Sequence, residues 1–183
     1  MRRIFSLFLY APHLLLYWLS AQREVIRKDL YARTPASSVS LLRQWIDLTS
    51  ALMNSKYFRT LFYFRTGGRF SKVLRLFYPR SETFIIDIHS KIGAGLKLAH
   101  PYATIINAES VGENCYINHL VTIGEKNGRK PVIGDNVELH ANCTVIGGIT
   151  IGDNAVIGAG AVVVKDVPPN SITIGNPSKL LLK

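Results

Sequence analysis

IGDNVELHANCTVIGGITIGDNAVIGAGAVV (residues 133–163) places Ile133, Leu139, Val145, Ile151, Ile157 and Val163 exactly six residues apart. Upstream, Val111, Ile117 and Ile123 keep the same beat, and it begins near Ile92. The fifth place of each hexad is also small or apolar: Cys115, Val121, Val137, Cys143, Ile149, Ala155, Ala161 and Val167. This is a hexapeptide repeat. "VGEN" at 111 and "IGDN" at 133 and 151 add a longer beat. The last two lie 18 residues apart, so three hexads make one coil, and four extra residues fall in "GEKNGRKP". The pattern predicts a triangular prism of short strands, with Gly and Asn at the corners where positive φ is needed. Anchor and fifth-place side chains point inward. One coil cannot bury its own apolar face, so stability accumulates by stacking. Cys115 and Cys143 both hold fifth places and are expected to be small buried fillers.

Working outward, the period changes near Arg80. The chain has 183 residues, 48% of them hydrophobic, which argues against global disorder, and its two cysteines, with no CxxC, form neither a disulfide framework nor a zinc pattern, so a reducing compartment is the simpler reading. The net charge of +10 is uneven: residues 1–84 hold 14 Lys/Arg and 4 Asp/Glu, and residues 85–183 hold 8 of each. That asymmetry suits a polyanionic partner, and no nucleic-acid motif accompanies it. Residues 24–84 read as a helical domain. Leu41, Leu42, Trp45, Ile46, Thr49 and Leu52 follow helical steps, with Ser37 or Ser38 as candidate cap. A second helix over about 56–78 is expected to break near Gly67-Gly68. Residues 1–23 are apolar, interrupted at Pro12-His13, with Arg2, Arg3, Arg23, Arg27 and Lys28 at the flanks. They predict a membrane-associated or interfacial helix, with a cytoplasmic protein resting on the inner face of the cell membrane through residues 1–33. The third segment is 85–183.

"DIHSKIGAG" (87–95), "LKLAHPYATIIN" (96–107), "YINHLVTIG" (116–124), "IGAGAVVVKDVPP" (157–169) and "IGNPSK" (174–179) together resemble the hexapeptide-repeat acetyltransferases of the left-handed β-helix type. The likeness covers about residues 80–183 and is nearest to the serine acetyltransferases and the exopolysaccharide O-acetyltransferases. It implies an α+β chain, a helical region followed by a left-handed parallel β-helix. It also implies a homotrimer with active sites between subunits, acetyl-CoA as donor and no metal.

Within that resemblance His100 falls at the position of the catalytic base. It stands two places after the anchor Leu98, near a corner, where a side chain leaves the core. A neutral imidazole can take the proton of a poorly nucleophilic hydroxyl during attack on a thioester. Asp87 matches the carboxylate that orients the base, and is expected to reach the edge carrying His100. His119, one coil later, is expected to stack near His100 after a one-residue slip near Thr104. Gly124 is a candidate corner for the oxyanion donors. Ala141 and Ala159 match small positions lining the pantetheine groove, and Lys165 and Lys179 could meet CoA phosphates. His13 reads as structural or interfacial, and His140 as exposed.

Two departures bear on the acceptor. Serine acetyltransferases carry Asp before the catalytic His, where this chain has Ala99. They carry His after Arg in the inserted loop, where it has Arg129-Lys130. Losing a charged contact in a closed site costs roughly 1.5–3 kcal/mol. The expectation is therefore a sugar or surface-polysaccharide precursor hydroxyl. Serine is the alternative, and a non-catalytic β-helix scaffold the second.

Overall fold

The computed structural model describes residues 7–32 and 40–182, in two compact units, Met1–Glu82 and Thr83–Lys183. The first is helical: Ala11–Leu19, Arg23–Leu30, Leu41–Asn54, Lys56–Thr66 and Gly68–Phe77. Pro12 sits in the first turn of its helix, where a missing N–H costs nothing. Gly67, at φ 54°, separates the two helices of the 56–77 stretch, as the Gly67-Gly68 pair predicts. Ser40 caps Leu41–Asn54 by accepting the Arg43 N–H. The expected caps Ser37 and Ser38 lie outside the described residues. The buried face of that helix is Gln44, Leu48, Thr49 and Leu52; Leu41, Leu42 and Trp45 point outward. The step pattern thus identified the helix and, through Thr49 and Leu52, the C-terminal half of its inward face, but not the N-terminal half.

The core of this unit joins Tyr10, Tyr17, Ile26, Leu48, Leu52, Phe62, Tyr63 and Leu74. His13 is wholly buried with them, and a buried ion pair links Asp29 to Arg65 at 2.9 Å. The described part of the apolar stretch expected at a membrane is packed on one side into its own unit. Its other side exposes Phe8, Leu15, Trp18 and Leu19. Among the described residues no helix is long and apolar enough to cross a membrane. Arg2 and Arg3 lie outside them.

The second unit is the prism. Its first face stacks Phe84–Ile86, Thr104–Ile106, Thr122–Gly124, Thr144–Ile146 and Val162–Val163. Its second stacks Lys91–Ile92, Ser110–Val111, Val132–Ile133 and Thr150–Ile151. Its third stacks Lys97–Leu98, Tyr116–Ile117, Glu138–Leu139, Val156–Ile157 and Ser171–Ile174, with Lys179–Leu182 antiparallel on the last. Every other strand pair is parallel. The register follows the beat: Ile133 pairs with Ile151, and Leu139 with Ile157. All nine predicted anchors from Val111 to Val163 are buried. Ile149 is the one fifth-place residue left half-buried. The inserted loop closes as a tight hairpin, Lys126 pairing with Arg129 around Asn127-Gly128, both at positive φ.

Candidate active site

The residues expected to form one site fall on two edges of the prism. Along the edge between the third and first faces lie Ala99, His100, His119, Ala141 and Ala159. The strand register pairs Leu98 with Ile117, Ile117 with Leu139 and Leu139 with Ile157. Two residues further on, it puts His119, Ala141 and Ala159 at one level of successive coils, at a coil spacing of about 4.8 Å, with His100 in the turn that precedes them on the same edge. Lys179 begins the strand that follows the last turn of this edge, and is exposed.

The His100 corner is larger than the expected one-residue slip. Strand pairs are 19 apart before it (Leu98–Ile117) and 17 apart after it (Ile105–Thr122). Two extra residues are thus accommodated between them, and His100 and Ala103 both take positive φ. The carbonyl ladder shows the consequence. Leu120 N–H donates to Tyr102 O, Asn142 N–H to His119 O and Gly160 N–H to Ala141 O. Tyr102, not His100, therefore meets His119 in the ladder, and His100 stands at the start of the bulge with its side chain exposed. Its φ of 53° is a conformation that a non-glycine residue adopts at a cost of about 1 kcal/mol. Among the described residues the His100 ring has no hydrogen-bond partner. Ala99 is 4% exposed.

Asp87, Gly124, Arg129, Lys130 and Lys165 gather instead along the edge between the first and second faces. Asp87 follows the strand Phe84–Ile86, and that strand runs the width of the first face, about 10 Å, away from the edge of His100. The expectation that Asp87 reaches His100 is thus not met within one chain. Asp87 Oδ1 accepts from Lys130 Nζ at 3.0 Å and from His89 N–H at 3.1 Å. The Lys130 hydrogen bond holds its carboxyl below the usual carboxylate range, against partial desolvation. Arg129 lies over Gly148, beside an open groove of ≈340 Å³ walled by Glu109, Val132 and Thr150. Gly124 is half-buried, and Lys165 is exposed.

Sequence reasoning passed over Asn118, Tyr116 and Tyr102. Asn118 Oδ1 accepts from the His119 backbone N–H at 2.8 Å and lies 2.7 Å from His119 Nδ1. The available signal was a polar side chain directly after the anchor Ile117. His140 is half-exposed, with Nε2 3.2 Å from Glu138 Oε2. Cys115 and Cys143 are wholly buried, and burial pushes their thiols up to about 11 and about 12, so neither is a thiolate nucleophile near neutrality.

Comparison with known proteins identifies the architecture. Residues 130–165 match the family model "Bacterial transferase hexapeptide (six repeats)". A solved Neisseria gonorrhoeae serine acetyltransferase in complex with serine superposes with TM-score 0.68 at 31% identity, covering 87% of this chain and 68% of that one. The chain belongs to the hexapeptide-repeat transferases. A soybean serine acetyltransferase complexed with serine gives TM-score 0.70 at 30% identity, covering 88% and 70%. These neighbours establish the left-handed β-helix with helices before it. Among curated proteins, serine acetyltransferase 2 of Arabidopsis thaliana is 37% identical over 172 residues, 85% of this chain and 51% of the relative. Serine acetyltransferase 3, mitochondrial, of the same plant is 46% identical over 108 residues, 55% of this chain and 28% of the relative. This hexapeptide-repeat transferase thus spans about half or less of the length of those relatives.

Proposed function

We propose that the protein is an O-acetyltransferase that moves an acetyl group from acetyl-CoA to a hydroxyl, with serine as the acceptor that its relatives favour. One observation carries the transfer reading: an exposed imidazole at the bulged corner is followed along the same edge by Ala141 and Ala159, small side chains beside which a linear thioester arm fits. His100 takes the hydroxyl proton as the oxygen attacks the thioester carbonyl. A C–O bond forms, the tetrahedral intermediate collapses with cleavage of the C–S bond, and the proton passes from the imidazolium to the departing sulfur, giving free CoA thiol. Lys179 and Lys165 are the cations available to CoA phosphates.

The split of the site over two edges supports a homotrimer. One prism cannot bring Asp87, Arg129 and Lys130 to His100, whereas the opposite edge of a neighbouring copy can, with Asp87 kept ionised by Lys130. Purified protein incubated with acetyl-CoA and serine should release thiol. His100→Ala should lower that rate about 10²–10⁴-fold with the fold intact. Unchanged activity in that variant would remove His100 from the mechanism.

A sugar hydroxyl is the second reading. It rests on Ala99, which offers an ammonium no carboxylate, and on Lys130, whose cation neutralises Asp87. The peripheral membrane contact proposed for residues 1–33 rests on exposed Phe8, Leu15, Trp18 and Leu19, with the Arg23 guanidinium 5.9 Å from the Trp18 ring centroid, and on Arg27 and Lys28 further along the sequence. Co-flotation with anionic but not neutral vesicles supports it, and flotation with neither rejects it.

A further inference from the structure

Asn118 and His119 form a small device on the His100 edge. A backbone N–H is always a donor, so the Asn118 side-chain atom that receives the His119 N–H must be the oxygen. That same oxygen lies 2.7 Å from His119 Nδ1, and two acceptors cannot share a hydrogen bond, so Nδ1 carries the ring proton. A neutral imidazole has one such proton. Nε2 of His119 is left with its lone pair, and among the described residues nothing hydrogen-bonds to it. The amide is held from its other end: Asn118 Nδ2 donates to Tyr116 Oη at 3.4 Å. The Tyr116 ring in turn packs on His140, centroids 5.7 Å apart, and His140 Nε2 faces the Glu138 carboxylate. A polar chain thus runs along the third face and ends at a half-buried imidazole whose free nitrogen accepts hydrogen bonds only.

We infer that His119 Nε2 recognises the acceptor molecule, taking a hydrogen bond from an N–H or O–H donor beside the hydroxyl that is acetylated, and that Asn118 is the positioning residue that sets its tautomer. This rests on the acetyl-transfer reading above. The donor is the ammonium of an amino acid or the vicinal hydroxyl of a sugar, and both present the same chemistry to a lone pair. The neighbouring Ala99 side chain supplies no acceptor at this edge.

Two measurements test this. The first needs no activity: two-bond ¹H–¹⁵N correlation spectra of ¹⁵N-histidine-labelled protein at neutral pH, with the His119 signals assigned by their loss in His119→Gln. The Nδ1–H tautomer is expected, moving toward Nε2–H in Asn118→Leu. An Nε2–H tautomer in the unmodified protein overturns the inference. The second is kinetic, using serine and a panel of simple sugars, each beside an analogue lacking the neighbouring donor: 3-hydroxypropionate for serine, deoxy sugars for the sugars. His119→Asn and Asn118→Leu should raise the acceptor KM about tenfold or more, with the acetyl-CoA KM and the melting temperature little changed. His119→Gln, whose amide oxygen reaches the Nε2 position, should recover most of the loss. The preference for the donor-bearing acceptor should collapse in His119→Asn. Transfer with an unaltered acceptor KM in His119→Asn overturns this inference alone. Absence of transfer to every acceptor overturns the transfer reading and this inference with it.

Discussion

His13 offers a quantitative test of how the N-terminal segment is used. Its ring is wholly buried and boxed by Tyr10, Phe62, Tyr63 and Tyr78, with centroids 4.7–5.9 Å away. Tyr63 Oη donates to Tyr78 O, so at 2.8 Å it accepts from His13 Nε2, and Nδ1 has no partner. Burial, aided by the nearby Arg59 cation, pushes the imidazole down to about 4. The folded pKa thus lies below the unfolded value of about 6.5. Stability from keeping the ring neutral is complete above pH 6.5 and is lost as pH falls from there toward 4. At about 1.36 kcal/mol per unit the whole effect is about 3 kcal/mol, of which about 2 kcal/mol disappears between pH 7 and 4.5. Urea unfolding followed by far-UV circular dichroism at both pH values, for the parent and for His13→Phe, reads it directly. The parent should lose about 2 kcal/mol more than the variant on acidification. Equal losses would mean that His13 is hydrated, and that the segment does not form the core of the helical unit.

Three further outcomes follow from the prism and its edge. A Cβ on Gly134 would fall onto the Asp153 carboxylate and against the next coil's backbone, so Gly134→Ala should destabilise by about 1–3 kcal/mol in urea titrations; a change below about 0.5 kcal/mol would refute the tight coil-to-coil approach there. Cys115 and Cys143 should resist an aromatic disulfide reagent in native protein and both react after denaturation; rapid native labelling would contradict their burial. Ala159→Trp should raise the acetyl-CoA KM more than the acceptor KM; the opposite split would move the pantetheine arm off this edge.

The prism was legible because burial in a β-helix is written as a fixed period, and the anchors from Val111 to Val163 each answer it. Handedness came only through resemblance, since a six-residue beat is the same for either turn. The helical half was harder to read. Leu41, Leu42 and Trp45 satisfy helical spacing but stand outward, because the buried stripe runs through Gln44 and Leu48 to Thr49 and Leu52, and an apolar count ignores Gln44. The site was half legible. His100, His119, Ala141 and Ala159 share an edge because they share a place in the hexad. The reach of Asp87 to His100 was read from chain proximity, whereas the strand Phe84–Ile86 carries it to the next edge of the same prism. The Asn118–His119 bond depends on a rotamer, which no periodicity encodes.

Acetyl transfer from acetyl-CoA at the His100 edge is the step from which the other predictions at this edge follow. Its most direct measurement is the release of free thiol and the mass of the acetylated product when purified protein meets acetyl-CoA with serine, then with a sugar panel, beside His100→Ala. The expected product is heavier by one acetyl group, is formed with serine in preference and is lost in His100→Ala. A product formed equally well by His100→Ala, or no product with any acceptor, would contradict acetyl transfer at this edge.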